Sequence, residues 1–367
     1  MSDERDAMSQ PVGTSTTTIT AAGGKPRSVG RFALRAAVQV AGFLLSLGLL
    51  YWCVRQAFGN PAVADKLPRL LETPWWLIAA LLLCSVVTTI ISGLVFWRVL
   101  VPIRRLSLVN TVAVNGVSTV LGYLPFKLSL IFRVLYHRRV DKVELAVMGG
   151  WFAAVAAIII IAVSAPGFAS GLRPQLDGWW WVIVAGGLIG GVVATLIAAR
   201  LMVQFRGRAI AWLAGNSAAP KPGMIAAIAR SDTATKLSDA VVMLADWRVL
   251  TVAMGLRVLD LGVQELRFYF ASEAAHLAGI IDAAMPVEQC IVAGGLYFTL
   301  QAIAPTGVTG VREGGTVGLL KLLPGFMADG SFAAVVLVVS ATEAIANVAW
   351  GGVCGAWLWW VNGRGRG

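Results

Sequence analysis

Three uncharged stretches constrain this chain more than any other feature. Leu145–Ala165 and Trp179–Ala199 run 21 residues each, and Trp75–Trp97 runs 23. A helix rises about 1.5 Å per residue, so about 20 apolar residues cross the roughly 30 Å hydrocarbon core of a bilayer. Only 13% of residues are charged and 57% are hydrophobic, against about 25% charged in soluble domains. Lipid, rather than a water-excluded core, must therefore solvate most of the surface. The expected fold class is all-α: a polytopic transmembrane bundle of seven or eight spans.

The flanks of the spans give an expected topology. Residues 1–30 are polar and rich in Ser, Thr and Gly, and read as a disordered cytoplasmic tail. Lys25, Arg27, Arg31 and Arg35 precede the first span, Ala36–Val54, and place the N-terminus inside. Leu106–Pro125 is apolar but contains Asn110, Asn115, Gly116, Gly122 and Pro125. It reads as broken or re-entrant, because a full crossing would put the basic stretch Arg200–Lys236 outside. Val287–Ala304 and Phe332–Val361 read as further spans, and Pro305–Leu323 as a second short, Gly-rich, interrupted segment. A single membrane domain over residues 31–361 then has halves of about 31–205 and 236–361, with a polar tail at 362–367. One interrupted segment in each half suggests an inverted repeat with a binding site between the two parts.

Basic composition alone would suggest nucleic acid, since the net charge is +11. Here the lysines and arginines sit beside apolar spans, where positive-inside topology and anionic lipid explain them, so no nucleic-acid partner is expected. Two histidines and four scattered cysteines, with no CxxC pair, leave no metal centre and no cofactor to expect. No Walker loop, HExxH motif or Ser-His-Asp grouping is visible, which weighs against an ATP-driven pump and an ordinary hydrolase.

Four places could carry function. In Gly122–Arg139, Gly122 and Pro125 can break a helix and expose backbone groups, and Lys127 and Arg133 follow at headgroup level, where a phosphate could pair. Arg138 and Arg139 read instead as a snorkelling anchor. In Pro305–Gly315, the residues Pro305, Gly307, Gly310 and Gly314 suggest an unwound turn or gate around Arg312 and Glu313. Between residues 246 and 267, Asp246, Arg257, Asp260, Gln264 and Arg267 fall on one helical stripe about 80° wide. A charged stripe in an apolar helix faces protein or a wet cavity; the plainer reading is a structural Arg257–Asp260 pair. Glu343 stands alone in the last span, as a proton-coupling group or a partner for a stripe arginine.

The run from Pro305 through Gly307, Gly310, Val311 and Glu313 to Leu319 and Leu320 resembles an element of the lysylphosphatidylglycerol synthase transmembrane-region family, also called flippase-like membrane proteins. Asn115, Pro125 and Arg133 resemble that family's Asn, Pro and Arg element more loosely. The resemblance covers roughly residues 35–361. Lys127 and Leu128 depart from it where a Gly-Glu pair is common, and Arg312 stands where an apolar residue is usual. The resemblance implies an integral membrane protein that binds or moves lipids, such as aminoacylated phosphatidylglycerol, hopanoids, or polyprenyl and glycolipid products. Some members carry an aminoacyl-transferase domain; the NGRGRG tail leads us to expect none here.

The sequence therefore points to a multi-pass protein of a bacterial inner membrane, with a membrane lipid as partner and no enzymatic activity as the leading expectation. The headgroup would enter a cavity lined by Arg133, Arg257, Asp260 and Glu313. The alternatives are an intramembrane lipid-headgroup transferase, with Asp260, Glu313 or Glu343 as base, and a scaffold that docks lipid-synthesis enzymes.

Overall fold

The computed structural model describes residues 29–59, 61–124, 127–172, 176–215, 243–303, 310–322 and 330–364. Among them are ten helices of ten residues or more: α1 Val29–Phe58, α2 Trp75–Leu100, α3 Leu108–Leu121, α4 Leu128–Arg139, α5 Leu145–Leu172, α6 Gly178–Gly215, α7 Trp247–Leu277, α8 Val287–Ile303, α9 Val311–Leu320 and α10 Gly330–Arg364. No strand occurs among the described residues. Most of the tail expected over residues 1–30, and the basic stretch 216–242, lie outside them.

Among the described residues, five helices are long and apolar enough to cross a membrane, over Val40–Phe58, Trp75–Leu100, Leu145–Ala169, Gly178–Phe205 and Ser331–Gly363. The other expected spans correspond to α7, whose 31 residues carry the charged stripe, and α8, at 17 residues. Side chains cap several starts. Ser107 accepts from the Asn110 N–H at 3.4 Å, Asp177 from Trp180 at 2.8 Å, and Asp246 from Arg248 at 2.9 Å. Exposed Trp75, Trp76, Trp179 and Trp181 ring one end, and exposed Trp247, Trp359 and Trp360 the other, as interfacial aromatic belts do.

Contacts sort the helix ends onto two faces. Trp76 meets Phe270 edge-on at 6.3 Å, while Leu100 and Leu250 share a core cluster, so α2 and α7 run antiparallel. Trp357 Nε1 donates to Asn110 Oδ1 at 3.1 Å, which puts the end of α10 beside the start of α3. Arg104 Nη1 donates to the Lys142 carbonyl at 3.0 Å, so the chain entering α3 and the chain leaving α4 meet. The hairpin α3–α4 thus enters and leaves at one face, the face that carries Arg98, Arg104, Arg105, Arg138, Arg139 and Lys142. On the other face, Lys321 Nζ donates to Gln56 Oε1 at 3.0 Å, so α9 ends beside the end of α1. Val63, Ile280, Met285 and Leu320 share one apolar cluster there.

Small residues let the short helices sit against the long ones. A Cβ on Gly116 would lie 2.6 Å from Cys354 Sγ, and Gly93 allows α2 to approach Val112 and Asn115 of α3. The unwound run expected from Pro305 to Gly315 is shorter than its glycines suggest. Residues 304–309, with Pro305 and Gly307, lie outside the described residues, but Val311–Leu320 is helix and contains Gly314. Gly310 holds φ +96° at the start of α9, a conformation open to glycine. Glu313 Oε2 accepts the Gly310 N–H, so the helix caps itself from within its first turn. Pro125 also lies outside the described residues; Gly122 ends α3 and Lys127, at φ +53°, opens α4.

Candidate functional site

Four buried ionic groups meet between α7, α9 and α10, and two further arginines and a chain of amides lie against α2. The first group centres on Glu343. Its Oε2 accepts from Arg267 Nη2 at 2.8 Å and its Oε1 from Arg312 Nη1 at 2.7 Å. Arg267 also donates to Gln264 Oε1 at 2.6 Å and to the Val339 carbonyl at 3.0 Å. Arg312 holds its neighbour Glu313 through Nε and Nη2, at 3.0 and 2.8 Å, and its guanidinium lies 4.4 Å from the centre of the Tyr297 ring. Ser340 donates to Glu313 Oε1 at 2.6 Å. Each of these four ionic side chains is buried. Two arginines and two glutamates cancel, which is the condition for holding charge inside a membrane bundle.

The second group forms along α2. Arg257 donates through Nη1 to Asp260 Oδ2 at 2.7 Å and to Ser92 Oγ at 3.0 Å. One turn further along α2, Phe96 carries the guanidinium of Arg133, 4.3 Å from its ring centre. Arg133 Nη2 donates to Asn115 Oδ1 at 2.6 Å, and Asn115 Nδ2 to the Thr89 carbonyl at 2.7 Å. Thr89 Oγ1 in turn donates to Asn347 Oδ1 at 2.9 Å, and Asn347 Nδ2 to Tyr123 Oη at 2.9 Å. A polar chain therefore runs from α4 through α3 and α2 to α10 and back to the tip of the α3–α4 hairpin. Arg133 is half-buried and has no carboxylate partner among the described residues. The Nε atoms of Arg133 and Arg257 and Oδ1 of Asp260 are buried without a hydrogen-bond partner.

Of the residues singled out in the sequence, Arg257, Asp260, Gln264 and Arg267 are indeed on one buried face of α7. Asp246 is not: it is exposed and caps the helix start. Arg312, Glu313 and Glu343 join them, and Arg133 arrives from the hairpin. Lys127 is exposed and makes no part of either group. Thr89, Ser92, Phe96, Tyr123, Tyr297, Ser340 and Asn347 belong to the two groups but carry no sequence signal of their own. Hydroxyl residues in apolar helices usually bond the preceding turn, as Ser85 and Thr88 do here, so pattern alone does not separate the few that reach across.

An apolar cavity of about 360 Å³ lies beside these groups, between α2, α3 and α10, lined by residues that include Leu94, Val112, Trp350 and Cys354. Its lining follows the same face of α10 that carries Glu343 and Asn347, since 343, 347, 350 and 354 recur every three or four residues. No cluster of His, Cys, Asp and Glu suited to a metal ion occurs among the described residues. The four cysteines are buried and unpaired.

A model of the family described as the lysylphosphatidylglycerol synthase TM region matches residues 39–351, most of the chain. No curated protein and no solved structure matches it.

Proposed function

The chain belongs to the lysylphosphatidylglycerol synthase transmembrane-region family, and from that membership we propose that it binds an amphipathic lipid and moves it between leaflets. One observation carries the reading: Arg133, reached from a hairpin that enters and leaves at one face, stands beside Arg257 with no carboxylate of its own inside a membrane bundle. An uncompensated arginine, even half-buried, is costly inside a membrane bundle unless a ligand supplies the counter-charge. A lipid headgroup does so, while its chains remain in hydrocarbon or in the apolar cavity between α2, α3 and α10.

In this reading the headgroup reaches Arg133 and Arg257 from the basic face, and the self-neutralised cluster around Glu343 is the joint between α7, α9 and α10. The hairpin α3–α4 and the segment α8–α9 come from opposite faces, and relative movement of the two opens the site alternately. The basic face is the cytoplasmic one, the N-terminus is inside, and the membrane is a bacterial inner membrane. Support for the orientation is the excess of arginine and lysine at the face shared by the ends of α2, α4 and α10.

The test is reconstitution of the full chain into liposomes with headgroup-labelled lipids, followed by quenching of the outer leaflet with a membrane-impermeant reductant. The wild-type protein is expected to expose inner-leaflet label to the quencher, and Arg133→Gln to slow that exposure about tenfold or more. Exposure no faster than in empty liposomes, for every lipid class tried, would remove the reading. Chemical change of the labelled lipid would favour the transferase alternative.

A further inference from the structure

We propose that the site between Arg133 and Arg257 selects a headgroup that is an acidic phosphate ester bearing hydroxyls and no ammonium group. This rests on the lipid-binding reading above and narrows it to a substrate class. The argument is one of charge and of unused hydrogen-bonding atoms. The Glu343 cluster is closed, with Arg267 and Arg312 balanced by Glu313 and Glu343. The α2 group is not: Arg133 and Arg257 against Asp260 alone leave one positive charge among the described residues.

The unused atoms match that imbalance. Nε of Arg133 and Nε of Arg257 are buried donors without a partner, and they belong to side chains one turn apart along α2, on Phe96 and Ser92. Arginine forks bind phosphate oxygens well because the planar donors match their spacing. Oδ1 of Asp260 is a buried acceptor without a partner, although the carboxylate's charge is already matched by Arg257 at 2.7 Å. It can accept from a neutral hydroxyl. An ammonium would place a third positive charge beside two arginines, and no free carboxylate faces it. Asn115 matters here because it holds Arg133 as a neutral amide where an aspartate would have cancelled the charge.

The experiment measures equilibrium binding of short-chain lipid probes to the full-length protein in a mild non-ionic detergent. The probes are dioctanoyl phosphatidylglycerol, the matching phosphatidylethanolamine, the lysyl ester of the phosphatidylglycerol, and glycerol phosphate as a soluble anion. The expected order places phosphatidylglycerol at least tenfold tighter than either ammonium-bearing lipid and tighter than glycerol phosphate. Arg133→Gln and Asn115→Asp should each bring it down to the level of phosphatidylethanolamine. Asn115→Asp gives Arg133 a counter-charge but loses the amide's donation to the Thr89 carbonyl, so its binding is compared only in protein that still unfolds cooperatively. Equal or tighter binding of either ammonium-bearing lipid overturns the inference, as does unchanged binding in a folded Asn115→Asp protein. Glycerol phosphate binding as tightly as the lipid overturns the lipid assignment in favour of a soluble anion. The inference does not need translocation: the expected binding order without leaflet exchange in liposomes would sink the transport reading and leave this one standing.

Discussion

Arg312 and Glu343 form a 2.7 Å ion pair that ties the short helix α9 to the long helix α10, across 31 positions of sequence. The same carboxylate holds Arg267 of α7 with its other oxygen at 2.8 Å. Glu343 is thus the common counter-charge for two buried arginines, and three helices depend on it for their relative placement.

Replacing Glu343 with Gln should therefore be strongly destabilising. Removing one member of a buried ion pair leaves an uncompensated charge and typically costs about 3–5 kcal/mol. Thermal unfolding in detergent should show a lower midpoint for Glu343→Gln than for Glu265→Gln, since Glu265 lies on the side of α7 that meets Gly294 of α8 and takes no part in the ion network. Equal midpoints would mean that the network is not what joins these helices.

Arg257 and Asp260 offer a cleaner measure of pairing. Each is 2% exposed, and they bond at 2.7 Å one turn apart on α7. Arg257→Asp and Asp260→Arg should each reduce the yield of folded protein sharply, whereas the double swap should recover part of it. The coupling expected from the double-mutant cycle is about 0.5–3 kcal/mol. Additive losses would show that the two charges are held by other partners.

Much of this architecture could be read from the sequence, for reasons that also mark the limit. Span length and lack of charge identify α2, α5 and α6, and a long span with one buried carboxylate identifies α10, because the bilayer sets both requirements at once. The stripe of Arg257, Asp260, Gln264 and Arg267 is legible because helical period puts a charged face somewhere, and lipid is excluded. Partnerships across helices are not legible in the sequence. Nothing local says that Glu343 meets Arg312, or that Asn347 bridges Thr89 and Tyr123. The start of α9 differs from what its glycines suggest for another reason. Glycine disfavours helix by about 0.8–1 kcal/mol per residue relative to alanine, yet Gly314 is helical because its missing side chain admits Leu49 of α1. Tertiary contact outweighs propensity there. Asp246 fits the angular stripe but sits where the helix begins, so capping claims it instead.

The sorting of helix ends gives a topological prediction. In a variant lacking the four buried cysteines, single cysteines at Arg104 and Arg139 should react with a membrane-impermeant maleimide from the same side. A cysteine at Arg69, beyond the end of α1, should react from the other. If positions 104 and 139 label from opposite sides, α3 and α4 do not form a hairpin that returns to one face.

The join between α1 and α9 gives the last prediction. Gly310 has φ +96°, and a Cβ built on it would collide with the Ser46 carbonyl oxygen of α1. Two separate penalties act at this position: the backbone conformation disfavours any L side chain, and the neighbour is main chain, which cannot swing aside as a side chain can. Its N–H also supplies the donor that Glu313 accepts, so displacement of Gly310 would loosen the cap of α9 and with it the Arg312–Glu313 pair. Gly310→Ala should therefore lower the unfolding temperature and open the α1–α9 contact to cross-linking reagents. Gly352→Ala is the control, since a Cβ there meets nothing within 4 Å on α10, and it should leave stability unchanged or slightly raised. Were Gly310→Ala as stable as Gly352→Ala, α9 would not be seated on α1 through this residue, and the positive φ would carry no structural weight.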